Sequence, residues 1–334
     1  MKKLSCVLAV ALVLCMMLSS SAFAAMEVTY STKSAGSVQD QAMDLFAQKL
    51  EELSDGRIVG KKYIAGTVGG EEEMAEAVAL GDLGATFAAD QLIGNCANGA
   101  LGFLAMPGLV TSYEEAEEAI YSEDGWLSKI ISNIMEEKIG LKRLAAGDND
   151  FRVLGVNKEL KTAEDAKGVK VRCGNAWANL QFYERAGFMP VVIASSETMS
   201  ALEQGTVDGA ENGLVNLRDG GYANALKYIL PVNYMYSSAS IIVNLDWFNS
   251  LSAEDQAIVK EAAEIAARFE IDTNIQASKD LMAEMTGNGT WTELEMTDSL
   301  IAAFDTASAS MWDEAPEKYG ADIIETLLAN MPEK

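Results

Sequence analysis

The sequence predicts a two-domain α/β protein with one long helix spanning both domains. Three observations predict it. Strand and helix patterns alternate in two separate series, one on each side of Asp148. A later segment of thirty-odd residues keeps a helical pattern without interruption. The chain of 334 residues is also longer than a single hydrophobic core usually supports.

The first series opens with EVTYST, whose alternation reads as a strand. SVQDQAMDLFAQKLEELSDG follows as an amphipathic helix with Ala42, Leu45, Phe46 and Leu50 on one stripe, ended by Gly56. RIVGKKYIAG is a second strand region, EEEMAEAVALGD a helix and GATFAAD a short buried strand. Such βαβαβ order implies right-handed crossovers, with ligands held beyond the carboxyl ends of the strands. From Asp148 the plan repeats as FRVLGVN, GVKVR, the helix NLQFYERAG, MPVVIA, the helix SETMSALEQG and VDGAEN. Aligning Glu73 with Glu197 places Ala77 on Ala201 and Gly81 on Gly205, each pair at the end of a helix that leads to a short strand. YSSASIIVNLDWFNSL then reads as a long strand and connection.

The long helix begins after Ser252, an N-cap with Asp255 three residues on, and runs to about Met285 before Gly287 and Gly289. At ~1.5 Å per residue it reaches roughly 50 Å, the length of a strut rather than of a layer within one domain. The expected division is residues 26–149 with about 238–277 in one domain, and 150–237 with about 278–334 in the other.

Before these elements come Lys2 and Lys3, an apolar run from Val7 to Leu18, and Ala22 and Ala24 in an Ala-x-Ala arrangement. That order predicts a secretory signal peptide over residues 1–24, cleaved near Ala24. Lipidation at Cys15 is the weaker reading, because Leu14 stands where a lipobox has a small residue. No later apolar run approaches the ~20 residues of a membrane span, so the mature chain is not expected to insert. Loss of Lys2 and Lys3, with no acid lost, takes the net charge from -25 to -27. Such a surface repels nucleic acid and anionic membrane, and an anionic ligand would need a local positive site. Cys96 and Cys173 lie far apart and read as two small buried thiols rather than as a required disulfide.

The chain has no histidine, which excludes Ser-His-Asp and Cys-His catalysis and removes the commonest metal ligand. Neither GxGxxG, a P-loop, GxSxG, CxxC nor an EF-hand loop occurs. No cofactor or metal is expected, and an exported carboxylate-dependent lyase or hydrolase is disfavoured. The acidic runs Glu71, Glu72, Glu73 and Glu114, Glu115, Glu117, Glu118 read as solvated helix faces. The informative residues are Arg152 and Arg172 on successive strands, followed by Asp208, Glu211 and Asn212. An arginine fork holds a carboxylate through two parallel hydrogen bonds, and asparagine adds another; a sulfonate or phosphate could use the same donors.

DAKGVKVRCGN resembles the D-x-K-G-x-K-x-R-x-P-x region of the solute-binding proteins of tripartite ATP-independent periplasmic (TRAP) transporters, the DctP-type family. ALEQGTVDGAEN resembles that family's A-L-x-x-G-x-V-D-G-Q-E-N signature, and the likeness runs from about Glu27 to the C-terminus. The resemblance implies a type II-like periplasmic binding fold that closes by a hinge on a small organic anion. The anion would then pass to small and large permease subunits in the membrane. It also implies that Arg172 holds the ligand carboxylate, that Arg152 and Asn212 assist, and that Gly174 and Asn175 leave room for approach. By alignment, Thr32, Lys33, Asp90 and Ser195 would line the rest of the pocket, and Trp177 could close over a planar ligand or sit in the core. Ala89 stands where sialic-acid-binding members carry an acid, which disfavours sialic acid. Cys173-Gly174, Ala210 and Gly213 depart from the family's valine-proline, glutamine and proline, changes that loosen the backbone around the anchor without removing a named donor. The same fold would also serve a protein that presents its ligand to a membrane sensor.

Overall fold

A computed structural model describes residues 25–331; the expected signal segment and Cys15 lie outside the described residues. The first series forms β1 (Met26–Ser31), α1 (Val38–Leu53), β2 (Ile58–Lys62), α2 (Glu71–Leu80) and β3 (Ala85–Ala89). After irregular turns and α3 (Trp126–Ile134) comes β4 (Leu141–Phe151). The second series follows as β5 (Val153–Val156), β6 (Lys170–Cys173), α4 (Trp177–Arg185), β7 (Met189–Val192), α5 (Thr198–Glu203), β8 (Gly209–Asn212) and α6 (Leu214–Asp219). Then come β9 (Tyr228–Leu230), β10 (Tyr236–Asn244), α7 (Ala253–Gly287), β11 (Thr292–Glu293), α8 (Asp298–Tyr319) and α9 (Ala321–Asn330).

Two sheets result, in the orders β2-β1-β3-β10-β4 and β11-β9-β5-β8-β6-β7. In the first, β1 runs parallel to β2 and β3, and β10 lies antiparallel between β3 and β4. In the second, β6 runs parallel to β7 and β8, while β5 is antiparallel to β8 and β9. The sequence pattern starts the second series at Asp148 and assigns no element to residues 141–147. Those residues pair with β10 and belong to the first sheet. The second sheet begins only at Val153, so Arg152 sits where the chain passes from one sheet to the other.

The return crossing, residues 231–235, joins β9 to β10, and α7 makes a third connection. Ser252 caps α7 as expected, its hydroxyl accepting from the Asp255 amide at 3.1 Å. The first half of α7 buries Val259, Ala262, Ala263, Ala266 and Ala267 against Ala42, Phe46 and Leu50 of α1. Alanines at three- and four-residue spacing let the two helices approach closely. Its second half buries Leu281 and Met285 among Val215, Leu217 and Trp291, beside the second sheet.

Where the chain crosses between sheets, three buried carboxylates meet: Asp148 and Asp150 of β4 and Glu270 of α7. Asp148 accepts from the Tyr236 hydroxyl at 2.5 Å and from the Asn274 amide, and Glu270 accepts from the Asp148 backbone amide at 2.9 Å. None of the three has an ion-pair partner among the described residues. Burial, reinforced by Asp150, pushes Asp148 up to about 6, and burial, reinforced by Asp148, raises Glu270 well above the ordinary carboxylate range. The folded chain therefore binds protons that the unfolded chain has released. This contribution to stability is present below the ordinary carboxylate value and is lost as pH rises through about 6 and beyond. Glu270→Gln keeps an acceptor for the Asp148 amide and removes one charge. Calorimetric melting curves should show that variant gaining stability relative to the parent as pH rises from about 5 to about 8. Parallel curves over that range would contradict the proton linkage.

Candidate ligand-binding cleft

Between the sheets lies a cleft of two adjoining chambers that share Glu71, Leu92, Arg172, Gly174 and Ser195. The outer chamber holds about 160 Å³ and is bounded further by Glu72, Asn175, Val192 and Ala194. The narrower inner one, about 20 Å³, adds Lys33, Gln91, Asn149, Arg152, Asn179, Glu211 and Asn212. One wall therefore comes from the C-terminal ends of β6 and β8, and the facing wall from the segments after β1 and β3 and the first turn of α2. This is where parallel strands end, the position expected of a ligand site in such sheets.

Arg172 occupies the centre. Its strand, β6, pairs on both sides with β7 and β8, and its side chain is only 5% exposed. The Nε donates to the Ile193 carbonyl at 2.8 Å, which fixes the plane of the guanidinium. Arg172 lines both chambers, and no carboxylate among the described residues lies within ion-pair distance of it. A buried charge without a counter-ion is costly, so this arrangement is complementary to an anion.

The neighbouring cations are differently placed. Arg152 donates to the Asn212 side chain and, at 2.9 Å, to the Ser237 hydroxyl, and stands 3.8 Å from Glu211. Glu211 is itself held by the Asn179 amide at 3.2 Å and the Gly174 backbone amide at 3.4 Å. Lys33 faces Glu71 at 3.4 Å, and Glu71 also accepts from the Ala89 backbone amide at 2.9 Å. Asn175 reaches across the cleft mouth to Glu72 at 3.3 Å, and its carbonyl accepts from Asn95 at 2.8 Å. Ser195 lines both chambers and lies 3.3 Å from the Tyr222 hydroxyl.

Of the sequence-derived candidates, the structure thus brings together Arg172, Arg152, Asn212, Lys33, Ser195, Gly174 and Asn175. Three others lie outside the cleft lining. The Thr32 hydroxyl donates to Asp40 at 2.6 Å within the first sheet's loops, and the residue is fully buried there. Asp90 accepts from Ser238 and Ser240 at 2.5 Å each and faces Arg143, in a network beneath β10. Trp177 is partly buried, packs edge-on against Tyr319 of α8 with ring centres 5.8 Å apart, and lines neither chamber.

Three further expectations change. Glu71, expected on a solvated face, is buried in the cleft, because three consecutive acids on a helix point in three directions. Cys96 is exposed rather than buried, while Cys173 is buried with its thiol raised by desolvation; both are free. Gly213, read as a loosening substitution, sits under a close approach: a Cβ there would lie 2.5 Å from that of Asp150.

Residues 30–318 match the family described as bacterial extracellular solute-binding protein, family 7, DctP. The chain belongs to this TRAP solute-binding family. Among its relatives, a solute-binding protein of Verminephrobacter eiseniae is 31% identical over 75% of this chain and 73% of its own length. The sialic acid-binding periplasmic protein SiaP of Vibrio cholerae is 25% identical, covering 89% of this chain and 90% of its own. The sugar acid binding protein DctPAm of Advenella mimigardefordensis, solved in complex with galactonate, superposes with a TM-score of 0.83 over 91% of this chain and 97% of its own. At 22% identity that likeness is one of fold, and the fold is the two-sheet architecture with a long helix described above. Proteins of the family are binding subunits of transporters, and among the described residues no helix is long and apolar enough to cross a membrane.

Proposed function

We propose that this chain is the exported solute-binding subunit of a TRAP transporter, capturing a small organic anion in the cleft and passing it to small and large permease subunits in the membrane. The observation that carries the reading is Arg172, buried, fixed through its Nε and without an acidic partner among the described residues. The ligand carboxylate, or a sulfonate in its place, takes two hydrogen bonds from the terminal nitrogens of that guanidinium. Arg152 and Asn212 hold the inner wall, and Ser195 and Asn175 supply hydrogen bonds along the ligand.

Closure follows from the geometry of the walls. The lobes, assigned as residues 26–149 with about 238–277 and 150–237 with about 278–334, each contribute one face. A ligand that touches both stabilises the closed arrangement by its greater affinity for it. The crossings at Arg152, residues 231–235 and α7 are the segments about which the lobes turn. The work is binding, not catalysis: no histidine is present, and the cleft carboxylates are held by Lys33, Arg152 and backbone amides rather than poised near a reacting group. The Ala-x-Ala segment ending at Ala24 directs export to the periplasm, where such a protein meets its solute.

A thermal-shift screen of the mature protein against sugar acids, dicarboxylates, oxo acids, aromatic acids and alkyl sulfonates tests the reading. A ligand that binds only the folded state raises the melting temperature by mass action. A rise of several degrees with one anionic class is expected. No rise with any class, together with no ligand released on denaturation and detected by mass spectrometry, would overturn it.

A further inference from the structure

We infer that the cleft accepts a ligand with one negative charge and a tail rich in hydrogen-bond donors, a polyhydroxylated monocarboxylate rather than a dicarboxylate. The inference rests on the reading that an organic anion binds at Arg172, and it concerns which kind.

The charges in the cleft decide the first half. Three cations border it, and two already face a buried acid: Lys33 faces Glu71, and Arg152 faces Glu211. Neither acid is free to leave. Glu71 is tied to the Ala89 amide, and Glu211 to Asn179 and the Gly174 amide. One positive charge therefore remains for the ligand, that of Arg172. A second ligand carboxylate would have to lie beside Glu71 or Glu211 inside, or beside Glu72 in the outer chamber. Each position sets like charges together in a poorly solvated space, which disfavours the dianion.

Unpartnered atoms decide the second half. Among the described residues, Glu211 Oε2 and Asn179 Oδ1 are buried acceptors without a hydrogen bond; Arg152 Nε, which faces Glu211 Oε2 at 3.8 Å, is beyond hydrogen-bond distance and is itself without one. Glu211 and Asn179 line the inner chamber. In the outer chamber the half-buried Glu72 has its carboxyl raised by burial, so it too gains from a donor brought by the ligand. Hydroxyl groups meet these needs: each donates to such an acceptor and carries no charge.

Titration calorimetry of the mature protein with a matched pair tests this. Six-carbon aldonates of several configurations carry one carboxylate and five hydroxyls; the corresponding aldarates carry a carboxylate at both ends. Succinate supplies a dicarboxylate without hydroxyls, and hexanoate a monocarboxylate without them. The best aldonate is expected to bind at least about 100-fold more tightly than its aldarate, the order set by one buried like-charge contact. Glu72→Lys, which places a cation at the outer chamber, is expected to shift the aldonate-to-aldarate ratio by about tenfold or more toward the aldarate. Succinate or an aldarate binding as tightly as any aldonate would overturn the single-charge inference, while leaving anion capture intact if that binding is lost in Arg172→Met. Hexanoate binding as tightly as the aldonates would overturn the hydroxylated tail. Absence of Arg172-dependent binding by any carboxylate would overturn this inference, and its absence for alkyl sulfonates as well would overturn the function on which it rests.

Discussion

Arg172→Met is expected to weaken ligand binding by about 10²-fold or more while leaving the ligand-free protein at least as stable as its parent. The two halves of this expectation have one cause. In the ligand-free chain the Arg172 guanidinium is buried, with a single protein acceptor at Ile193 and no acid beside it among the described residues. Replacing an uncompensated buried charge by an apolar side chain of similar length removes a desolvation cost, so folding loses little or gains. With ligand bound, the same substitution strands the ligand carboxylate in a low-dielectric cleft, at a cost of about 2–5 kcal/mol for a hydrogen-bonded buried charge pair. Differential scanning fluorimetry with and without the identified ligand reads both effects. A melting temperature that falls by many degrees in the ligand-free variant would show that Arg172 supports the fold instead. An unchanged dissociation constant would show that the anion is held elsewhere.

Asp150→Ala is expected to cost about 3–5 kcal/mol of folding stability, because one carboxylate joins four segments. Its oxygens accept from the Tyr113 hydroxyl and the Phe151 amide at 2.8 Å, from the Leu214 amide at 2.8 Å and from the Ser278 hydroxyl at 2.9 Å. The segment before β4, the sheet crossing, the start of α6 and the middle of α7 are thereby tied to one point. Truncation leaves two buried backbone donors without acceptors, and each costs on the order of 1–3 kcal/mol. The backbone adds to this, since Asp150 has a φ of +69°, in the left-handed region that suits aspartate and asparagine better than alanine. Asp150→Asn keeps one acceptor and the backbone preference, and should lose clearly less than the alanine variant. Urea midpoints measure both. A loss below about 1 kcal/mol for the alanine variant would mean that these hydrogen bonds are replaced by solvent.

Much of the fold was legible because its signals are local and periodic. The helix over 38–53, the capped start of α7 and the alternation of two βαβ series all follow from side-chain spacing, and each is present. Even the weak internal echo has a physical basis: Gly81 and Gly205 both follow helices and both adopt positive φ, at +83° and +66°. The strand over 141–147 escaped because Lys142, Arg143 and Gly147 break its apolar pattern; Arg143 is buried through Ser128, Ser240 and Asp90, partners remote in sequence. β9 and β11 are too short to carry a period at all.

The cleft divides in the same way. Arg152, Arg172 and Asn212 stand at strand ends within recognisable motifs, and the structure sets all three around one chamber. Thr32 and Asp90 stand at strand ends as well, but which side of the sheet a loop residue faces depends on tertiary contacts that spacing does not encode. The fates of Glu71 and Glu211 were hidden for a related reason. An acid at a helix start or strand end looks solvated until its cationic partner, distant in sequence, is placed opposite it.

The most direct measurement is a crystal structure of the mature protein with the ligand that the thermal screen identifies. The ligand carboxylate should lie against both terminal nitrogens of Arg172, with Lys33 still facing Glu71 and Arg152 still facing Glu211. A carboxylate bound instead to Lys33 or Arg152, with Arg172 turned to an acid of the protein, would contradict the role assigned to Arg172.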